Sequence, residues 1–137
     1  MKQIAIVAGG DSSEYKVSLR SAATIMANID CTLFNPYLTV IHGNEWYVEY
    51  KSKKYALDKN IFGFTTDDGK TIEFEYAYII IHGTPGENGI VEGYLELMHI
   101  PYSTCGVLAG ALTFDKFMLN NLLKSFGVNV ADSVLLR

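Results

Sequence analysis

Ile4-Ala5-Ile6-Val7-Ala8-Gly9-Gly10-Asp11-Ser12-Ser13-Glu14 decides the fold. An unbroken apolar run that stops at two glycines reads as a strand covered on both faces and followed by a tight turn, which is how a first parallel strand is written. Asp11, Ser12 and Ser13 carry side chains that cap helices, and behind them Val17, Ala22, Ile25 and Met26 recur at helical spacing to about Ala27. Strand, glycine turn and helix make half of a βαβ unit. The expected architecture is therefore a three-layer α/β fold with a largely parallel sheet.

Working outward, Cys31 to Ile41 is rich in Leu, Phe, Tyr, Val and Thr and reads as a second strand, with Asn35-Pro36 marking a bend or an edge. Trp46–Tyr50 and Thr71–Phe74 alternate apolar and polar residues, and Asp68-Gly69 between them is a hairpin turn signal, so 46–75 is expected to be an antiparallel β-hairpin embellishment. Lys51 to Lys54 reads as a solvated bend rather than a binding surface. Ala77 to Ile81 is the next buried strand, and His82-Gly83-Thr84-Pro85-Gly86-Glu87-Asn88-Gly89 is the loop at its carboxyl end. A helix over about 90–99 is expected to present Ile90, Tyr94 and Leu97 on one side and to end before Pro101. A short strand over 100–103, a small helix over 106–111, a longer helix from Thr113 to Ser125 ended by Gly127, and a last strand over 128–136 complete the expectation. No repeat or low-complexity segment interrupts this single domain, 1–137.

Composition narrows the function classes. Hydrophobic residues are 49% of the 137, and 11 Lys+Arg stand against 15 Asp+Glu for a net charge of -4, which suits a packed domain and not a disordered chain. Without a basic run there is no electrostatic footprint for nucleic acid. No apolar run is long enough for a signal peptide or a membrane span. The two cysteines, Cys31 and Cys105, form neither a C-x-x-C pair nor a disulfide framework, and a cytoplasmic location is expected.

Both glycine-rich loops follow a buried strand and precede a helix, where open α/β sheets gather ligands. GGDSSE is neither the dinucleotide fingerprint nor the nucleotide triphosphatase phosphate loop. Glu14, in the first turn of the first helix, is either an exposed acid favoured by the helix dipole or a site carboxylate that receives an ammonium group. Ser12 and Ser13 read as caps, since no neighbouring base marks either as a nucleophile. His82 emerges at a strand's carboxyl edge, where it either contacts a ligand carboxylate or fixes its own loop. Glu87 and Glu92 lie nearby in sequence, but dispersed acids and one histidine define no metal site on this chain.

Two long stretches, MKQIAIVAGGDSSEYKVSLRSA at 1–22 and IIIHGTPGENGIVEGYLELMHIPYSTCGVLAGALTFDK at 79–116, resemble the amino-terminal domain of the D-alanine-D-alanine ligase family of the ATP-grasp superfamily. The resemblance runs from Ile4 to about Ala131 and implies a Rossmann-like pre-ATP-grasp topology. It also implies a reaction, in which ATP with Mg2+ phosphorylates the carboxylate of a first D-alanine and the amino group of a second attacks the acyl phosphate. By resemblance Glu14 orients the first D-alanine's ammonium group, Val17 and Ser18 line that subsite, His82 stands beside its carboxylate, and Lys116 faces the nucleotide. Asn88 replaces the second acid of the family's HGxxGEDG pattern, Thr104-Cys105 replaces a Gly-Ser or similar pair, Gly110 stands where serine is frequent, and Phe114 replaces a methionine.

The family's ATP-grasp lysines, magnesium carboxylates, oxyanion-stabilising arginine and closing loop all lie downstream of this region. The chain alone is therefore expected to be inactive and to bind neither cofactor strongly, its partners being D-alanine and the remaining ATP-grasp domains. A noncatalytic dimerisation or regulatory module of the same fold, with 94–98 as a homodimer contact, is the second reading. An independent small-ligand enzyme is the third, and no complete catalytic set supports it.

Overall fold

The computed structural model describes residues 1–136. Strand β1 (Lys2–Gly9) forms the expected opening, buried from Ile4 onward. Its two faces serve different cores: Ile4, Ile6 and Ala8 pack with Ala22, whereas Ala5 and Val7 join a larger cluster with Phe64, Phe74, Val91 and Leu95. The uninterrupted apolar run is thus two alternating faces, each covered.

Helix α1 (Tyr15–Asn28) lies over the first face through Ala22, Leu19, Ile25 and Met26. Val17, expected on that apolar stripe, is 40% exposed. Strand β2 (Phe34–His42) runs parallel to β1, starting later than expected because 31–33 forms a turn. Pro36 pairs with Ile4 on one side only, since the antiparallel partner β3 (Glu45–Tyr50) reaches back no further than Leu38, so the missing amide breaks no ladder. Strand β4 (Lys53–Ala56) extends the sheet antiparallel to β3. Lys51 and Ser52, both at positive φ, make the tight turn between them, so the charged stretch is half turn and half strand.

The expected 46–75 embellishment therefore divides. Its first part widens the main sheet, while β5 (Gly63–Thr65) and β6 (Thr71–Glu73) form a separate two-stranded sheet that closes the larger core. There Phe62 meets Phe74 edge-on at 5.4 Å and Tyr37 meets Phe64 at 5.7 Å. Strand β7 (Tyr76–Ile79) pairs parallel with β1, giving the order β4-β3-β2-β1-β7, parallel across β2, β1 and β7 and antiparallel beyond. Helix α1 on one side, and the small sheet with helix α2 (Ile90–Leu97) on the other, complete three layers.

Helix α2 buries a face other than the expected one. Val91, Glu92 and Leu95 face inward, and Leu97 is 82% exposed. The apolar residues of α2 form one broad arc, and the buried side is the Val91–Leu95 edge of that arc, which carries Glu92 inward with it, rather than the Ile90–Leu97 edge. Residues 100–103 make one parallel bridge, Ala77 to Tyr102, and no strand. The last two helices meet at Asp115 rather than near residue 112: α3 (Val107–Phe114) stops there and α4 (Lys116–Ser125) begins, with the Asp115 carboxylate accepting from Met118 N at 2.9 Å. The strand expected over 128–136 does not form: that stretch has no regular secondary structure and is mostly exposed. Arg137, the last residue of the assigned domain, lies outside the described residues.

Candidate functional site

Glycines build the site because backbone must pass where no Cβ fits. Gly9 and Gly10 both have positive φ (102° and 93°), and a Cβ on them would lie 2.5 Å from Ile41 O and 2.6 Å from Ile81 Cγ2. This lets the turn after β1 press between the ends of β2 and β7. Gly10 N donates to Ile41 O (2.7 Å), Asp11 N to Thr84 O (2.9 Å), and Ser12 Oγ to His82 O (2.7 Å). The two loops that the sequence marks separately are thereby one hydrogen-bonded unit at the carboxyl ends of three parallel strands.

Ser12 does more than cap. Its hydroxyl donates to His82 O while accepting from Glu14 N at 3.1 Å, so one oxygen ties the turn that carries Glu14 to the strand end that carries His82. Asp11 faces the other way, accepting from Gly43 N (2.7 Å) and lying 3.3 Å from His42 Nδ1, which donates to Gly10 O (2.9 Å). Tyr15 stacks obliquely on His42 at 5.0 Å, and burial pushes its hydroxyl's pKa up, keeping it protonated. The sequence marks Asp11 as a helix cap within GGDSSE and gives no signal for His42, which lies just past the expected second strand.

Glu14 occupies the position just before α1, exposed, with no capping bond from its side chain. The helix start carries partial positive charge beside that carboxylate. Val17 stands one turn further on, open to solvent. Ser18 is fully buried: its Oγ donates to Ile80 O (2.7 Å) and accepts from Gly9 N (2.9 Å). Its hydroxyl is engaged in joining the ends of β1 and β7. His82 is half-buried, and its Nε2 is buried without a hydrogen-bond partner. Glu14, Val17, Ser18 and His82 thus gather round one junction, Ser18 behind its wall.

Lys116 belongs elsewhere. It opens α4 and borders a groove of about 370 Å³ with Gly86, Glu87, Glu92, Thr104, Cys105 and Phe114. The loop 82–89 separates the two places, presenting His82 to one and Gly86-Glu87 to the other. Glu87 Oε2 accepts from Gly83 N (2.7 Å) and Asn88 Nδ2 donates to Thr84 Oγ1 (2.9 Å), so the loop is braced from within. A larger apolar groove, about 580 Å³ between Ile4, Ile25, Phe34 and Tyr78, lies at the opposite ends of the strands, away from every amide that could greet an anion.

Among the described residues no three His, Cys, Asp or Glu side chains converge in a geometry that could hold a metal ion. Among the same residues no helix is long and apolar enough to cross a membrane. Cys31 and Cys105 are both free and exposed.

Residues 3–105 match the family described as D-ala D-ala ligase N-terminus. The chain is 52% identical over 137 residues to the D-alanine--D-alanine ligase of Bacteroides thetaiotaomicron, covering 99% of this chain and 42% of that protein. It is 50% identical over 138 residues to the ligase of the same name from Azobacteroides pseudotrichonymphae genomovar. CFP2, covering 100% and 42%. Among solved structures, the VanG D-Ala:D-Ser ligase from Enterococcus faecalis superposes with a TM-score of 0.80 at 28% identity, over 96% of this chain and 43% of that one. The chain thus spans less than half the length of the relatives it matches.

Proposed function

Because this chain belongs to the D-ala D-ala ligase N-terminus family, we propose that it is the amino-terminal, D-alanine-binding part of an ATP-dependent ligase that makes D-alanyl-D-alanine for peptidoglycan. The observation that carries the site is the buried, unpartnered Nε2 of His82 at the junction of the two loops. A buried polar nitrogen left without a partner costs about 1–3 kcal/mol, so a ligand oxygen that reaches it recovers that energy as affinity. A carboxylate supplies the oxygen, with His82 as donor. Glu14, exposed across the same junction, receives the ammonium end of the same amino acid, and Val17 lines the space between.

Ser18 and Ser12 take no ligand in this account. They hold the two loops at fixed separation, and that separation sets which length of zwitterion fits between Glu14 and His82. Lys116 faces the nucleotide from the second groove. ATP, when bound, supplies the phosphoryl group that activates the first carboxylate, with Mg2+ held by domains beyond this one. The chain's own contribution is to bind and orient the first D-alanine. Alone, residues 1–137 form the substrate domain without turnover. The location is the cytoplasm, and a homodimer of the full protein is expected.

Two measurements test this. Phosphate release by the 137-residue chain with ATP, Mg2+ and D-alanine should stay at background, and robust D-alanine-dependent release would refute the missing-domain argument. In the full-length protein His82→Ala should raise the D-alanine KM far more than the ATP KM, with a melting curve to separate binding from loop collapse. An equal loss for ATP with unchanged use of D-alanine would assign His82 to the nucleotide instead.

A further inference from the structure

The D-alanine junction makes no use of Glu92, although its setting is unusual. It stands in the first turn of α2, 1% exposed between Val91 and the Thr104 loop. Thr104 Oγ1 donates to its Oε1 at 2.9 Å, while Oε2 is buried with no hydrogen-bond partner. Acids this deeply buried are nearly always paired, because neither water nor protein otherwise repays the desolvation. Glu92 also borders the 370 Å³ groove, which offers a path by which a donor can reach it.

The same groove is lined by a group with the complementary deficit. Lys116 opens α4, where the positive end of the helix dipole disfavours a cation. Its ammonium has three donors; it donates to the Thr113 carbonyl and lies over the face of Phe114 at 6.0 Å. Glu87, the other acid on the groove, is exposed and its Oε2 already accepts from Gly83 N. Glu92 is held by its buried helix and by Thr104, whereas the lysine moves on a flexible four-carbon stem.

We propose that Glu92 is the positioning residue for Lys116: its free Oε2 accepts from the ammonium across the groove and holds it with its remaining donors turned toward the phosphates of the nucleotide. This rests on the reading that Lys116 faces the nucleotide and deepens it. An anchored ammonium meets an anion without first losing its own freedom, which is how a fixed carboxylate increases a lysine's worth to a phosphate.

A double-mutant cycle in the full-length protein tests the pair, with ATP affinity read by calorimetry and ATP and D-alanine KM read separately. Glu92→Gln should weaken ATP binding about five- to tenfold when Lys116 is present, in line with coupling between close charged groups. In a Lys116→Met background the same change should matter less than about twofold, and the D-alanine KM should move little in either. Unchanged ATP affinity in Glu92→Gln, or an equal loss in both backgrounds, overturns the pairing. If Glu92→Gln does not fold, Thr104→Val replaces it in the cycle. Freeing Oε1 should then weaken ATP binding only where Lys116 remains, and equal effects in both backgrounds would again refute the proposal. Absence of any ATP- and D-alanine-dependent turnover in wild type would remove the ligase reading, whereas the calorimetric cycle judges the pair by itself.

Discussion

Ser18→Ala is the sharpest probe of how this site is held. The substitution deletes one oxygen from a fully buried position and leaves almost no change in volume, so cavity effects are small. Two backbone groups then lose the partner they share, Gly9 N (2.9 Å) and Ile80 O (2.7 Å). A buried group stripped of its hydrogen bond costs about 1–3 kcal/mol, so the pair should cost about 2–6 kcal/mol. That is a large share of the roughly 5–15 kcal/mol that holds a domain together. Urea unfolding of the 137-residue chain is the assay: at an unchanged slope of about 1–3 kcal/mol per molar, the midpoint should fall by at least about 0.7 M. The competing idea, that the Ser18 hydroxyl touches D-alanine, expects lost substrate binding at unchanged stability. A midpoint shift below about 0.3 M in a folded variant would show that the two strand ends do not depend on this hydroxyl and would refute the reasoning.

Glu14→Gln in the full-length protein should weaken use of D-alanine by roughly fivefold to a hundredfold, the worth of a charge-assisted contact, while thermal unfolding stays put because the side chain caps nothing. Wild-type D-alanine kinetics would remove Glu14 from the site. Gly10→Ala should cost about 2 kcal/mol or more, since φ is 93° and the new methyl would meet Ile81 Cγ2 at 2.6 Å; a variant as stable as wild type in urea would contradict that packing. Tyr94 donates to Lys59 O at 2.8 Å, and burial pushes its pKa to about 12 from 10.0. The folded state therefore keeps this proton longer than the unfolded chain, so its contribution is complete below pH 10 and drains away as pH rises toward 12. Unfolding midpoints followed across that range should fall less steeply in Tyr94→Phe than in wild type, and parallel slopes would contradict the assignment.

Much of this architecture is legible in local pattern. The run Ile4–Ala8 with its glycines, and Ala77–Ile81 with its loop, give the parallel core and both loops at the correct strand ends. What pattern could not supply was which edge of α2's apolar arc turns inward, because Ile90, Val91, Tyr94, Leu95 and Leu97 form one broad arc and the buried side is its Val91–Leu95 edge rather than its Ile90–Leu97 edge. The inward side was settled by the aromatic wall of the small sheet, contributed from residues far away in sequence. Likewise 128–136 has the composition of a strand, but a strand needs a neighbouring edge, and composition does not say whether one is offered. In the site, residue types announced Glu14, His82 and Lys116 through a family resemblance. Glu92 read in the sequence only as one of two dispersed acids near His82, and it is its burial and unpaired Oε2 that single it out. Ser12 and Ser18 read as ordinary small polar residues because their partners stand far along the chain, 70 positions away for Ser12 and 62 for Ser18.

Those long separations bear on the order of events during folding. Closing a loop of such length is entropically unfavourable, and contacts that require it form only after enough surface has been buried to offset that entropy. The bonds from Ser12 to His82 and from Ser18 to Ile80 span the whole inserted β region, so they can close only once β1, β2 and β7 lie side by side. The ligand junction is in that sense a readout of completed topology. A chain with β7 undocked would lose the junction at which the proposed amino-acid site is assembled. Amide exchange at Asp11, whose N–H reaches Thr84 O, would time the appearance of binding capacity during refolding.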